Sequence, residues 1–328
     1  MSQAVTLERR LAGISDAAPM LRAAVETAAA LVAASEELSA LVARGALIGA
    51  SPVGSRGGDA QEIMMRHLRE APVAAIASAR LNDWILLDAD KPMAVAFDPL
   101  DGSASLDAHM PLGTIFSVLP ASGAASPFTS PGSAQIAAGL VVYGRQTTLA
   151  LTLGAGVDIF TLDPRERIWR LTCGQIRIPD SAAEYAIDAS RDQHWEAPAR
   201  LYADERRAGG EGPRAKNFDR RWIGSLPAAA CRILDRGGVF LDPADQREGR
   251  AHLLCEAHPI AFVMSQAGGL ASTGHARILE LSAQSIHQRA PLIFGAGDDV
   301  RRIEGLHAAP DGRADAPPLF GRRGLFRC

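Results

Sequence analysis

The sequence predicts a layered α/β protein of the α+β kind, in two parts, with helices and sheets alternating along the chain. Three features carry this expectation: an Ala/Leu/Glu-rich helical start, a middle of short apolar runs divided by turn residues, and a final stretch in which helical and strand-like segments alternate. With 328 residues and 47% hydrophobic content, the chain can bury a substantial core.

From Thr6 to about Arg44 the helical propensity is high. The run "LRAAVETAAALVAASEELSALVARG" ends on a glycine stop, and a break near Gly13-Ile14-Ser15 divides the region into two helices. "GASPVGSRGGDAQ" (49–61) is dense in Gly, Ser and Pro and is expected to be a flexible loop, with helix resuming from Gln61 to Glu70. "APVAAIAS" and "KPMAVAFDPLD" are apolar runs of strand length, the second ending at acids, so Asp98 is expected at the carboxyl end of a buried strand. "GTIFSVLP", "IAAGLVVYG", "TTLALTLGAGVDIFTLD" and "RIWRLT" continue an antiparallel or mixed sheet.

The pattern changes after Pro179, which places a boundary near residue 180 and divides the chain into 1–180 and 181–328. In the second part "AEYAIDAS" reads as strand, "HWEAPARLYADERRA" as helix and "GGEGPRAKNF" as exposed loop. Helical "GSLPAAACRILDRGG", strand "VFLDPAD", strand-like "AHLLCEA", helical "PIAFVMSQAGG" and strand "PLIFGAG" follow. The Pro, Gly and Arg-rich tail from Pro310 is expected on the surface or at a subunit contact.

Composition excludes several classes. With Lys+Arg 34 against Asp+Glu 37, the formal charge of -3 draws the molecule to neither nucleic acid nor an anionic membrane. Cys173, Cys231, Cys255 and Cys328 have no CxxC spacing and read as buried thiols rather than a zinc site or a disulfide framework. Glu26, Glu36 and Glu37 interrupt the apolar N-terminal residues, unlike a signal peptide or a membrane span, and the expected location is the cytoplasm.

The chemistry concentrates in "FDPLDGSASLD". Proline fixes one φ angle and glycine permits a close approach, so Asp98 and Asp101 can converge while the following amides stay free. Convergent hard oxygens suit Mg²⁺ and free amides suit phosphate, which are the parts of a metal-assisted phosphatase. A capped turn, with Asp101 or Ser103 as N-cap, explains the bare motif equally well.

The longer stretch "FDPLDGSASLDAHMPLGTIFSVLP" resembles the signature of class 1 fructose-1,6-bisphosphatase. The likeness continues through "AEYAIDAS", "EGPRAKNFDRRWIGSL", "ILDRGGVFLDPAD", "HLLCEAHPIAFVMSQAGG" and "SIHQRAPLIFGAGDDV", from about residue 50 to residue 305. The resemblance implies the sugar-phosphatase fold, with layers in the order α-β-α-β-α, and Mg²⁺-dependent hydrolysis of the 1-phosphate of a sugar bisphosphate. Fructose 1,6-bisphosphate is the expected substrate, with sedoheptulose 1,7-bisphosphate as an alternative. It also implies a homo-oligomer, a tetramer by family habit.

Residue by residue, the resemblance implies metal ligation by Asp98, Asp101, Glu256 and the backbone carbonyl of Leu100. Gly102, Ser103 and Ala104, the last replacing a serine, would hold the reacting phosphate. Arg221, reaching across a subunit interface, and Arg250 would hold the far phosphate. Asp59 is implied as a catalytic acid and Asp188 as part of the sugar site. Three family acids are replaced here by Met65, Ala79 and Arg80. At ~4 Å, the Arg80 charge would cost a bound cation about 4 kcal/mol per unit charge at an effective dielectric near 20. Asp188 and Asp242 replace an asparagine and a tyrosine, which puts two new carboxylates near an anionic ligand. The register of the strand argues against Asp83, Asp88 or Asp90 replacing the lost acids. His287 and Arg289 read as structural. The two readings that follow are an impaired enzyme, or an inactive paralogue that binds sugar phosphate or modulates an active homologue.

Overall fold

The computed structural model describes residues 5–14, 18–45, 53–103, 108–121, 126–180, 182–244 and 249–309, with the side chains of 53–57 left out. Two helices open the chain, α1 (Leu7–Ala12) and α2 (Pro19–Arg44). Gly13 caps the first, as its position in the sequence suggests. α3 spans Val53–Glu70, so most of the expected loop is helical. Two central glycines disfavour helix there, but Ala60, Met64, Met65 and Leu68 form a buried stripe that holds the helix against the sheet.

The first sheet has eight strands: β1 (Val73–Ser78), β2 (Ile85–Leu86), β3 (Met93–Asp101), β4 (Leu112–Pro120), β5 (Ala137–Tyr143), β6 (Thr147–Thr152), β7 (Asp158–Asp163) and β8 (Ile168–Cys173). Their order is β2-β1-β3-β4-β5-β6-β7-β8, with β1 parallel to β3 and the other pairs antiparallel. Both faces of the centre are covered, which is why β3 and β4 read as continuous apolar runs. Met93, Val95 and Phe97 face α2 and α3, while Ala94 and Ala96 face the other side.

The second part holds β9 (Glu184–Ile187), α4 (Ala197–Arg207), β10 (Asp219–Arg220), α5 (Leu226–Arg236), β11 (Val239–Asp242), β12 (Ala251–His252), α6 (His258–Gln266), β13 (Leu270–Ser272), β14 (Arg289–Ala290), β15 (Leu292–Gly295) and α7 (Gly297–Ala308). Five of these strands form a sheet in the order β10-β9-β11-β15-β13, and β12 pairs with β14. α5 and α6 lie between the two sheets, whereas α4 and α7 pack together and α7 covers the outer side of the second sheet. This gives the layer order α-β-α-β-α. Arg206, buried in the last layer, stacks 3.4 Å over the Tyr202 ring and bonds Asp299, joining α4 to α7.

Two of these readings are corrected. "AHLLCEA" is strand only at Ala251–His252, after which Leu253–Ala257 forms a π turn running into α6. Its apolar residues are buried by the helical middle layer rather than by a strand ladder. Cys173 is exposed at the end of β8, while Cys255 is buried and burial pushes the Cys231 thiol up to about 12. α7, a segment to which the sequence reading assigned no element, buries Val300, Ile303 and Leu306 along one face. The tail from Pro310, with Cys328, lies outside the described residues. No helix among the described residues is long and apolar enough to cross a membrane.

Candidate active site

Asp98 shares the face of Ala94 and Ala96 and so points toward the middle layer. Strict alternation would send Asp101, three residues on, to the opposite face. Instead the register slips: Asp98 pairs with Ile115 and Asp101 with Gly113, so three steps on β3 match two on β4. This bulge brings both acids to one side. Pro99 sits within it, its carbonyl accepting from Thr114 Oγ1 at 2.8 Å, and Leu100 is buried. Gly102 follows with φ +77, a conformation that favours glycine, close against Gly224 and Ser225.

The third acid comes from far along the chain. The π turn directs Glu256 at the bulge, and ligand oxygens of Asp98, Asp101 and Glu256 lie within 4.8 Å of one another. Each also has a backbone donor. Leu100 N donates to Asp98 at 3.0 Å, Leu226 N, at the start of α5, donates to Asp101 at 2.8 Å, and His252 N donates to Glu256 at 2.9 Å.

Burial pushes the Asp98 carboxyl up. Burial and then the Asp98 charge push Asp101 up to about 7, and burial with both neighbouring acids pushes Glu256 well above its usual range. Three desolvated carboxylates in this space cannot all ionise without a counter-charge. Nearby His252 is kept neutral, its pKa lowered to about 4 by burial and by Arg289 and His287.

Asp101 and Glu256 open on a cavity of about 260 Å³ lined also by Trp222, Phe240, Asp242 and Arg250. Trp222 stacks on Phe240 at 5.4 Å, forming an aromatic wall that the sequence reading missed. Its place beside the glycine of "RWIGS" was the available signal. Arg250 is held from both sides: Nε donates to Asp242 at 2.7 Å and Nη1 to Asp188 at 3.2 Å. The two unusual carboxylates therefore bind this guanidinium instead of standing free.

Arg80 lies two residues beyond β1. Its Nη2 donates to Ser103 Oγ at 3.0 Å, and its charge acts on Asp98, opposing the rise due to burial. The guanidinium thus stands at the acid cluster. Ala79 is partly buried against the core between the sheets, and Met65 is buried in the core beneath α2 and α3. Asp83 and Asp88 accept from the backbone nitrogens of Trp84 and Asp90, and none of Asp83, Asp88 and Asp90 joins the acid cluster.

Some expected residues stand elsewhere. Asp59 is exposed on α3, outside the cluster. Arg221 bonds Asp219 at 3.0 Å and does not line the acid cavity of its own chain. Ala104 lies outside the described residues.

A five-layer fold with a buried cluster of hard oxygens on a bulged strand, facing an arginine across a cavity, has the parts of a metal-assisted phosphatase. The comparisons narrow this class. Residues 59–173 match the N-terminal domain of fructose-1-6-bisphosphatase and residues 178–308 match its C-terminal domain. A class 1 fructose-1,6-bisphosphatase of Rhodopseudomonas palustris (strain BisB5) is 49% identical over the whole of both chains, and one of Nitrobacter vulgaris is 48% identical, again over both whole chains. The crystal structure of Leishmania major fructose-1,6-bisphosphatase in holo form superposes with a TM-score of 0.83 at 28% identity, covering 92% of this chain and 98% of that one. The chain belongs to the class 1 fructose-1,6-bisphosphatase family and is by family a phosphoric monoester hydrolase. The family implies a divalent metal, and the cluster fits one: its donors are hard oxygens, and its raised acids call for positive charge.

Proposed function

We propose that this protein hydrolyses the 1-phosphate of fructose 1,6-bisphosphate, giving fructose 6-phosphate and phosphate, with Mg²⁺ as cofactor and with turnover below that of ordinary relatives. The observation that carries this reading is the cavity with Asp101 and Glu256 at one part of its wall and Arg250 at another. Asp98, Asp101, Glu256 and the Leu100 carbonyl would hold the metal. When bound, it supplies charge neutralisation at the phosphate and a more acidic water.

The remaining work falls to the chain. Gly102 and Ser103, followed by Ala104, cradle the reacting phosphate, and Arg80 adds a cation through its bond to Ser103. Trp222 and Phe240 wall off the sugar from water. Arg250 binds the far phosphate, weakened by the two carboxylates that already neutralise it. Arg221 serves a neighbouring subunit's site in a homotetramer, and Asp59 serves as a catalytic acid. The protein works in the cytoplasm, and its two halves divide near residue 180. Impairment follows from Met65, Ala79 and Arg80: no acid at these positions can ligate a metal or orient the attacking water.

The test is phosphate release from fructose 1,6-bisphosphate at saturating Mg²⁺, comparing the natural protein with an Ala79→Glu/Arg80→Glu variant and with a third version that adds Met65→Asp. Comparable rates in all three would overturn the claim of impairment. Activity only in the restored versions would support the second reading, an inactive paralogue that binds sugar phosphate or modulates an active homologue. The specific observation favouring that alternative is the Arg80 guanidinium standing at the acid cluster.

A further inference from the structure

We propose that Glu196, His275 and His307 form a second metal site, separate from the acid cluster and suited to a borderline first-row cation, Zn²⁺ above all. The three residues come from elements that contribute nothing to the acid cluster. Glu196 is the residue before α4, His307 lies in the last turn of α7, and His275 sits on the turn after β13. One ligand atom from each lies within 4.8 Å of the other two.

Hydrogen bonding at His307 carries the argument. Its Nδ1 is 2.8 Å from the Ile303 carbonyl oxygen, which can only accept, so this nitrogen bears the proton. In the neutral ring, Nε2 then presents a lone pair, yet it faces Glu196 Oε2, another acceptor, at 3.1 Å. Something positive must lie between them. A proton on Nε2 would serve, making an ion pair; so would a metal. The bond to a backbone carbonyl is the arrangement that orients histidine ligands. The 3.1 Å separation also matches the edge of a zinc tetrahedron, roughly 3.3 Å for bonds of about 2.0 to 2.1 Å.

His275 tips the choice toward metal. A second imidazole is brought edge-on to the first, with ring centroids 4.8 Å apart, where a plain ion pair needs no such neighbour. The turn that carries it is built for close approach. Gly274 adopts φ +99, and a Cβ there would meet His307 Cε1 and Nε2 at 2.9 Å, so only glycine lets the turn lie on the ring. Thr273 N donates to Ala276 O at 2.9 Å, and Arg277 pairs with Glu304 of α7 at 3.0 Å, fastening the turn to the same helix. Two imidazoles and one carboxylate favour zinc-like ions over Mg²⁺. His307 is only 3% exposed while Glu196 is 37% exposed, so the set is anchored within but opens to solvent on one side, leaving room for a water ligand.

The test uses the full-length protein stripped with chelator and then kept in millimolar Mg²⁺, so that the acid cluster does not compete for the probe. Co²⁺ is titrated by its visible absorption and Zn²⁺ by calorimetry. The expected result is one tight equivalent, retained in Glu256→Gln and weakened at least about tenfold in His275→Ala. His275 is exposed, so its removal leaves folding intact, which circular dichroism verifies; His307→Gln is a further variant. Absence of binding under Mg²⁺, or binding unchanged in folded His275→Ala, would overturn the site. Loss in Glu256→Gln alone would assign the ion to the acid cluster and overturn it equally. Because this readout is independent of phosphate release, the site stands or falls apart from the proposed activity.

Discussion

Replacing Arg80 by alanine is expected to tighten Mg²⁺ binding roughly a hundredfold, as its electrostatics indicate. The side chain is tied to Ser103, two residues past Asp101, and its charge reaches Asp98. A single charge ~6 Å from a divalent ion repels it by about 5.5 kcal/mol at an effective dielectric of 20, and by about 1.4 kcal/mol in bulk water. Arg80 is exposed, so the working value falls between these limits, at about 2 to 3 kcal/mol. Calorimetric titration of Mg²⁺ into the natural protein, Arg80→Ala and Arg80→Lys at low and high salt measures this. The lysine variant should behave like the natural protein, and the alanine advantage should shrink as salt rises. Equal affinities for arginine and alanine at low salt would refute the reasoning, because the guanidinium would then not oppose the ion.

The remaining predictions concern charge and burial elsewhere. Asp242→Tyr or Asp188→Asn removes a carboxylate from Arg250 and should tighten fructose 6-phosphate binding by about 1 to 2 kcal/mol, roughly tenfold, by calorimetry. Mg²⁺ at a hundred times its dissociation constant should stabilise the protein by about 2.7 kcal/mol, and Glu256→Gln should remove most of the melting-temperature rise seen by fluorimetry. Burial lowers the His258 pKa from 6.5 to about 4. The unfolded chain therefore takes up the proton first, and stability present above pH 6.5 is lost as pH falls toward 4, by up to about 3 kcal/mol. Urea unfolding across that range should show a shallower pH slope in His258→Gln.

The central strands were legible because burial on both faces makes them unbroken apolar runs; "KPMAVAFDPLD" and "GTIFSVLP" needed no long-range information. β2, β10, β12 and β14 have only two residues each, too few for a periodic signal. Asp98, Asp101 and Glu256 could be named from the motif and the resemblance, and Pro99 and Gly102 signalled that the two aspartates converge, but the bulge and the π turn that bring the three together could not be read. Alternation alone predicts opposite faces for Asp98 and Asp101, and only the pairing with β4 shows the slipped register. Arg250 was named while its neutralisation was not, since Asp188 lies 62 residues away in sequence and meets it only through the second sheet. For Met65 the structure adds a reason: the position is now part of the core, and its side chain fills space that a carboxylate would leave poorly packed.

The π turn at Leu253–Ala257 amounts to a surplus residue spliced into the entry of α6. In an α-helix each position turns by about 100°, so deleting one residue from this turn would leave α6 intact but swing Glu256 out of line with Asp98 and Asp101. The geometry of the acid cluster is therefore encoded by chain length as well as by side-chain identity. A lineage could abolish the site by a one-codon deletion while keeping every acid. Conversely, an alignment that finds all three acids has not found the site unless it also finds the spacing between "LLCE" and "HPIAF".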